Sequence, residues 1–259
     1  MEILNKYREI RHCYSIGKEY LNDKYIIDVA KKTSEETLKR PLRSEVINYL
    51  LSRSISSSKK YLEIGVRNPE DNFNKIISDE KYSVDPGIEF KENPVDFKMT
   101  SDEFFEKLRN GSILDNKIRF DIIFVDGLHL AEQVEKDIKN ALDFLNDDGF
   151  LVLHDCNPPS EFHAREEYNF IFSPAKIYWN GTVWKAFYRQ RLNNELSCAC
   201  IDSDWGIGII AKNKMFDSLK SNFNPYYDFK VFEKFRKESL NLMDFKTFCN
   251  TVSSFKYAK

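Results

Sequence analysis

YLEIGVRNPEDNF, residues 61–73, reads as a short apolar strand that runs into a glycine turn and then a helix. In α/β proteins a nucleotide-like ligand sits at that junction, beyond the carboxyl end of the strand. The stretch has a single glycine, Gly65, and Arg67 and Pro69 stand where a pyrophosphate loop needs glycine for close backbone approach. A nicotinamide dinucleotide therefore fits it poorly, whereas a cofactor without phosphate escapes that restriction.

Outward from this stretch, the chain repeats the pattern. "KYLEIG" (60–65), "KYSVDPG" (81–87), "VDFKMT" (95–100), "FDIIFVDG" (120–127) and "GFLVLHD" (149–155) are apolar runs bounded by turn residues and separated by amphipathic helices. Strict alternation predicts a parallel sheet with helices on both faces. Thr100-Ser101-Asp102-Glu103 has capping-box spacing ahead of a helix, and Leu130, Val134, Ile138, Ala141, Leu142 and Leu145 form one helical face that Gly149 is expected to terminate. "LSCACID" (196–202) and "WGIGIIAK" (205–212) lie so close together that they predict an antiparallel hairpin. Between them and the last parallel strand, residues 156–180 are rich in proline and aromatics and have no regular period, which suits a lid over a substrate.

The expected organisation is a helical extension over 1–55, a core over 56–213 containing the lid-like insertion 156–180, and a charged, aromatic helical extension over 214–259. The aromatic tail packs either on this core or on a second copy of the chain, so a homo-oligomer stays open as a partner. At 259 residues one α/β domain with additions is the natural size. A net charge of -2 gives no electrostatic reason to expect nucleic acid. The amino terminus is charged throughout and no apolar run nears the ~20 residues of a membrane span, so the expectation is a cytoplasmic protein with no membrane partner. Five cysteines without zinc-type spacing fit reduced thiols, and Asn180-Gly181-Thr182 then reads as an accidental sequon.

Asp126 and His129 follow one predicted strand, and His154 and Asp155 follow the next; neighbouring strands would bring all four together. Two carboxylates offer hard oxygen ligands to Mg2+ or Mn2+, and an imidazole beside them can take a proton from a hydroxyl of high pKa. The competing reading has one histidine capping the following helix and Asp155 starting a turn.

The order of strands and helices, with Val125-Asp126-Gly127-Leu128-His129 and His154-Asp155 in place, resembles the class I S-adenosylmethionine-dependent methyltransferases over roughly residues 45 to 212. It is closest to their bacterial branch with VDGxH and HD motifs, similar to small-molecule and sugar O-methyltransferases, some of which use a divalent metal. The resemblance implies a Rossmann-like seven-stranded sheet, mostly parallel with a terminal antiparallel hairpin, and an enzyme that methylates a hydroxyl of a small molecule or glycan precursor. It implies S-adenosyl-L-methionine held by Glu63 near its aminoacyl end, Gly65, Asp85 at the ribose hydroxyls, Thr100 and Ser101 near adenine, and Asp126. Thr100 and Ser101 also read simply as a helix cap. Asp126, Asp155 and His154 are the expected metal ligands, His129 and Asp126 the catalytic pair, and Trp184 and Lys185 the expected substrate contacts. Related sequences also include metal-dependent hydroxylase-like enzymes, for which His129, His154 and Asp126 would supply an iron site. A non-catalytic protein that kept the fold is the remaining alternative.

Overall fold

The computed structural model describes residues 2–90, 92–169 and 172–255. Helices α1 (Glu2–Leu21), α2 (Lys24–Leu38) and α3 (Arg43–Arg53) precede strands β1 (Lys60–Ile64) and β2 (Glu80–Val84). Next come α4 (Ser101–Arg109), β3 (Phe120–Val125), α5 (Ala131–Phe144) and β4 (Leu145–Leu153). Helix α6 (Val183–Arg191), strands β5 (Ser197–Ile201) and β6 (Ile207–Ala211), α7 (Phe229–Lys234), α8 (Arg236–Leu240), β7 (Leu242–Met243) and α9 (Phe245–Ser254) complete the chain. The strands form one seven-stranded sheet in the order β2-β1-β3-β4-β6-β5-β7. β2, β1, β3 and β4 are mutually parallel, and β6 runs antiparallel to both β4 and β5, so the predicted hairpin is present.

Alternation along the strands divides the core in two, because successive side chains point to opposite faces. Leu62, Ile64, Ile123, Val125, Leu151 and Leu153 face α4, α5 and α6. Tyr61, Ile122, Phe124, Phe150 and Val152 face the other way, against Val46, Ile47, Leu50 and Leu51 of α3 and Phe248 and Val252 of α9. Every residue of β3 is buried, as expected of a central parallel strand. Helix α3 is thus a wall of the sheet: full burial of Ile47 or Leu50 contributes roughly 1.5–3 kcal/mol each. Helix α1, by contrast, buries none of its residues. The aromatic tail packs on its own core, with Phe232 lying 4.4 Å from the Trp184 ring.

Three local expectations are corrected. No α-helix follows β1; residues 65–79 hold turns and one 3-10 turn, Phe73–Lys75, in which the N–H groups of Asp71, Lys75 and Ile76 donate three residues back, to the carbonyls of Asn68, Asn72 and Phe73. "VDFKMT" is a single bridge between Val84 and Phe97, not a strand. There the Asp96 carboxylate accepts the N–H and hydroxyl of Ser83 (2.9 and 2.7 Å), displacing ladder bonds, and Pro94 has no N–H to give. The seventh strand is instead β7, beside β5. Finally, α5 ends at Phe144 and β4 starts at once, so Gly149 lies inside the strand. Its place is dictated by contact: a Cβ there would come within 2.8 Å of the Asp121 carbonyl oxygen, at the irregularity where β3 and β4 shift register.

Candidate active site

The register of β3 against β4 pairs Val125 with Leu153, so the next residues, Asp126 and His154, emerge side by side. The ladder continues one step past the strands: Asp126 N–H reaches the Ile64 carbonyl at 2.9 Å and His154 N–H the Val125 carbonyl at 3.1 Å. Asp155 then turns the chain in a left-handed conformation (φ 61°), a strain of order 1 kcal/mol that swings its carboxylate back toward His154. Gly65 answers the same crowding, with φ 91° and a Cβ that would lie 2.2 Å from the Asp126 carbonyl oxygen. What approaches this glycine is thus the neighbouring strand end.

The four residues converge as the sequence suggests. His129 Nε2 lies 3.3 Å from Asp126 Oδ1, and its Nδ1 lies 3.3 Å from Asp155 Oδ2. His154 Nδ1 lies 3.2 Å from Asp126 Oδ1 and 3.1 Å from Asp155 Oδ2. Asp126, His154 and Asp155 each present one ligand atom, all within 4.8 Å of one another, which fits a cation bound by two hard oxygens and an imidazole. Buried Asn180 donates to Asp155 (2.7 Å) while its own Oδ1 has no partner, leaving one more oxygen beside the cluster.

Residues 179–182 complete the wall. His129 Nδ1 donates to the Trp179 carbonyl at 3.0 Å, and the two rings stack at 5.1 Å. Gly181 passes so close that a Cβ would meet the His129 carbonyl at 2.1 Å, and the Thr182 hydroxyl accepts Ala131 N–H at 2.7 Å, capping α5. The helix cap is thus Thr182, and His129 is free for the cluster. Asn180, read as part of an idle sequon, is an anchor of Asp155.

Two residues that sequence reasoning missed stand beside the cluster. Arg43, the first residue of α3, places Nη1 2.7 Å from His154 Nε2, and Asp204, in the β5–β6 turn, lies 3.5 Å from the same nitrogen. Asp204 and Trp205 both hold left-handed backbone (φ 44° and 64°), and buried Glu36 of α2 accepts the Trp205 N–H at 2.9 Å. The only hint in the sequence is Gly206, which ends a polar turn between two apolar strands.

Burial works against every charge here, so the pairings decide protonation. Burial would raise Asp126, yet His154 and Arg43 hold it well below the usual carboxylate range. Asp204 is likewise pulled to about 2, against burial, by His154 and Arg43. His129 rises to about 9 because the Asp155 and Asp126 carboxylates outweigh its burial. With both imidazoles neutral, three carboxylates against one guanidinium leave the charge that a single divalent cation would balance.

The remaining candidates are spread around this centre. Glu63 is buried at the end of β1, accepting Tyr61 Oη–H (2.5 Å) and Asn72 Nδ2–H (2.9 Å), and burial lifts its carboxyl to about 7. Asp85 directly follows β2, half-buried, with one oxygen oriented by Gly87 N–H at 2.6 Å. Thr100 is the N-cap of α4, accepting Glu103 N–H at 3.3 Å, and Ser101 accepts from Gln133. Trp184 is not brought to the cluster; its ring is buried against Phe232 and Phe229. Lys185 pairs with Glu166 at 3.2 Å.

Residues 62–156 match the family model described as "Methyltransferase domain". Comparison with curated proteins gives no match. Among solved structures, the chain is similar to the O-methyltransferase from Bacillus cereus in complex with SAH: 12% identity, 73% of this chain and 90% of that one, TM-score 0.43. It is also similar to the SAH-bound methyltransferase PaMTH1 of Podospora anserina, with 13% identity over 78% and 95% of the two chains and TM-score 0.43. A third is the MycE methyltransferase of the mycinamycin pathway, in complex with Mg and SAH, with 12% identity over 80% of this chain and 59% of that one and TM-score 0.43. The parallel part of the sheet from β1 to β4, the strand-end cluster and the match to the methyltransferase-domain model fall on the same stretch, residues 62–156.

Proposed function

We propose that the protein transfers a methyl group from S-adenosyl-L-methionine to a hydroxyl of a small molecule or glycan precursor, assisted by one divalent cation. The observation that carries this reading is the convergence of Asp126, His129, His154 and Asp155 at adjoining strand ends, inside the family-matched stretch. The cofactor would lie across the ends of β1 and β2, its ribose on Asp85 and its aminoacyl end near Glu63. Asp126, Asp155 and His154 would hold Mg2+ or Mn2+, which acts as a Lewis acid toward the acceptor oxygen. A bound cation would displace the His129 proton; Nδ1 is committed to the Trp179 carbonyl, so the lone pair would then lie on Nε2 in the cluster and could take the hydroxyl proton. Residues 156–180 would cover the acceptor. Arg165 stiffens them by donating to the carbonyls of Phe162, Tyr178, Tyr168 and Lys176.

The test is calorimetry with S-adenosyl-L-methionine, with and without chelator, beside turnover on a panel of hydroxylated acceptors. Binding should survive chelation while turnover stops. Asp85→Ala should weaken binding by roughly 1.5–3 kcal/mol, the value of a charge-assisted hydrogen bond. A second reading, binding without catalysis, draws on the missing helix after β1. Cofactor affinity with no turnover on any acceptor, metal present, would favour it; no cofactor affinity would reject both.

A further inference from the structure

The strand-end cluster carries a cation of its own. Arg43 Nη1 lies 2.7 Å from His154 Nε2, 3.9 Å from Asp126 Oδ2 and 3.8 Å from Asp204 Oδ1. Its backbone N–H is fixed by Asp204 Oδ2 at 2.8 Å, while its buried Nε has no partner. A guanidinium only donates, so its contact with Nε2 requires the lone pair there and leaves the ring proton on Nδ1. Nδ1 is the atom that faces Asp126 and Asp155, and it is the one a metal needs bare.

We infer that Arg43 is a resident counter-cation that competes with a divalent metal for the Asp126–His154–Asp155 cluster. The inference rests on reading that cluster as a metal site. With Arg43 in place, its charge partly balances the carboxylates and its hydrogen bond keeps Nδ1 protonated. With Arg43 withdrawn, Nε2–H can turn to Asp204 Oδ1, 3.5 Å away, in the carboxylate–histidine pairing that orients metal-bound imidazoles, and Nδ1 is free for the cation. Arg43 is therefore a positioning residue that sets metal affinity from the first turn of α3. Like charges a few ångströms apart in a buried site repel strongly enough to change affinity at least tenfold.

The test is titration of Mn2+ into the full-length protein, followed by loss of the free-ion paramagnetic resonance signal, at one pH for all variants. Arg43→Gln should bind Mn2+ at least tenfold more tightly than the unaltered protein. Arg43→Lys keeps the charge and should stay within about threefold of it. Circular dichroism checks that each variant is folded, and Arg43→Met supplies a second charge deletion should the glutamine variant unfold. Equal or weaker binding in the charge-deleted proteins would overturn the inference and leave Arg43 as an organiser of the cluster. No binding by any of them, matching an Asp155→Asn blank, would overturn the metal reading and this inference with it.

Discussion

Glu63→Gln isolates the most consequential buried carboxyl outside the cluster. Glu63 is 3% exposed, and burial raises it from 4.5 to about 7 even though Tyr61 and Asn72 both donate to it. At about 1.4 kcal/mol per tenfold change in proton affinity, keeping this group ionised costs the folded state about 3 kcal/mol. Because the folded pKa is raised, the native state holds the extra proton between pH 4.5 and about 7. Glu63 therefore lowers stability progressively as pH rises through that window, with the full loss above it. A glutamine can accept the Tyr61 and Asn72 hydrogen bonds through its carbonyl without a charge. Denaturant melts at pH 5 and pH 8 should show the variant gaining up to about 3 kcal/mol on the unaltered protein between the two pH values. If the cofactor's ammonium sits near Glu63, its affinity should rise as pH passes 7 in the unaltered protein and stay flat in the variant. Parallel stability curves for the two proteins across this range would refute the assignment of a raised carboxyl to Glu63.

His129→Ala should retain Mn2+ binding, tighter at neutral pH because the competing proton is gone, while reducing turnover by about 10²–10⁴-fold, the range for loss of a general base, as measured by paramagnetic titration beside steady-state rates. In the unaltered protein, metal affinity should rise with pH up to about 9, since below that value a cation must expel the His129 proton; a pH-independent affinity would contradict this. Gly65→Ala should destabilise the fold by several kcal/mol in denaturant melts, because the new methyl meets the Asp126 carbonyl at 2.2 Å on a left-handed backbone. Arg165→Met should speed amide exchange across 156–180 by releasing four carbonyls while leaving β1 to β4 unchanged.

Much of this protein is legible without coordinates. Short apolar runs bounded by turn residues define β1, β3 and β4, the close spacing of two further runs defines the hairpin, and Asp126, His129, His154 and Asp155 converge because they follow the ends of neighbouring strands. Local patterns mislead where a tertiary contact overrides them. A glycine that looks like a helix stop is Gly149 inside β4, and "VDFKMT" loses its ladder to the Asp96 carboxylate. Trp184, aromatic and near a basic residue, is claimed by the core through Phe232.

The sequence by itself determined the parallel part of the α/β sheet and the acid–histidine pairs at the carboxyl ends of its central strands, because apolar runs and strand-end positions are local properties. Only the tertiary structure decided what surrounds those pairs. Arg43 arrives from a helix well before the first strand, Asp204 from a strained hairpin turn, and Asn180 from the far end of an irregular segment. Apart from the turn that Gly206 marks beside Asp204, none has a local signal, since each is selected by the charge and hydrogen-bonding capacity that a distant part of the chain leaves unmet.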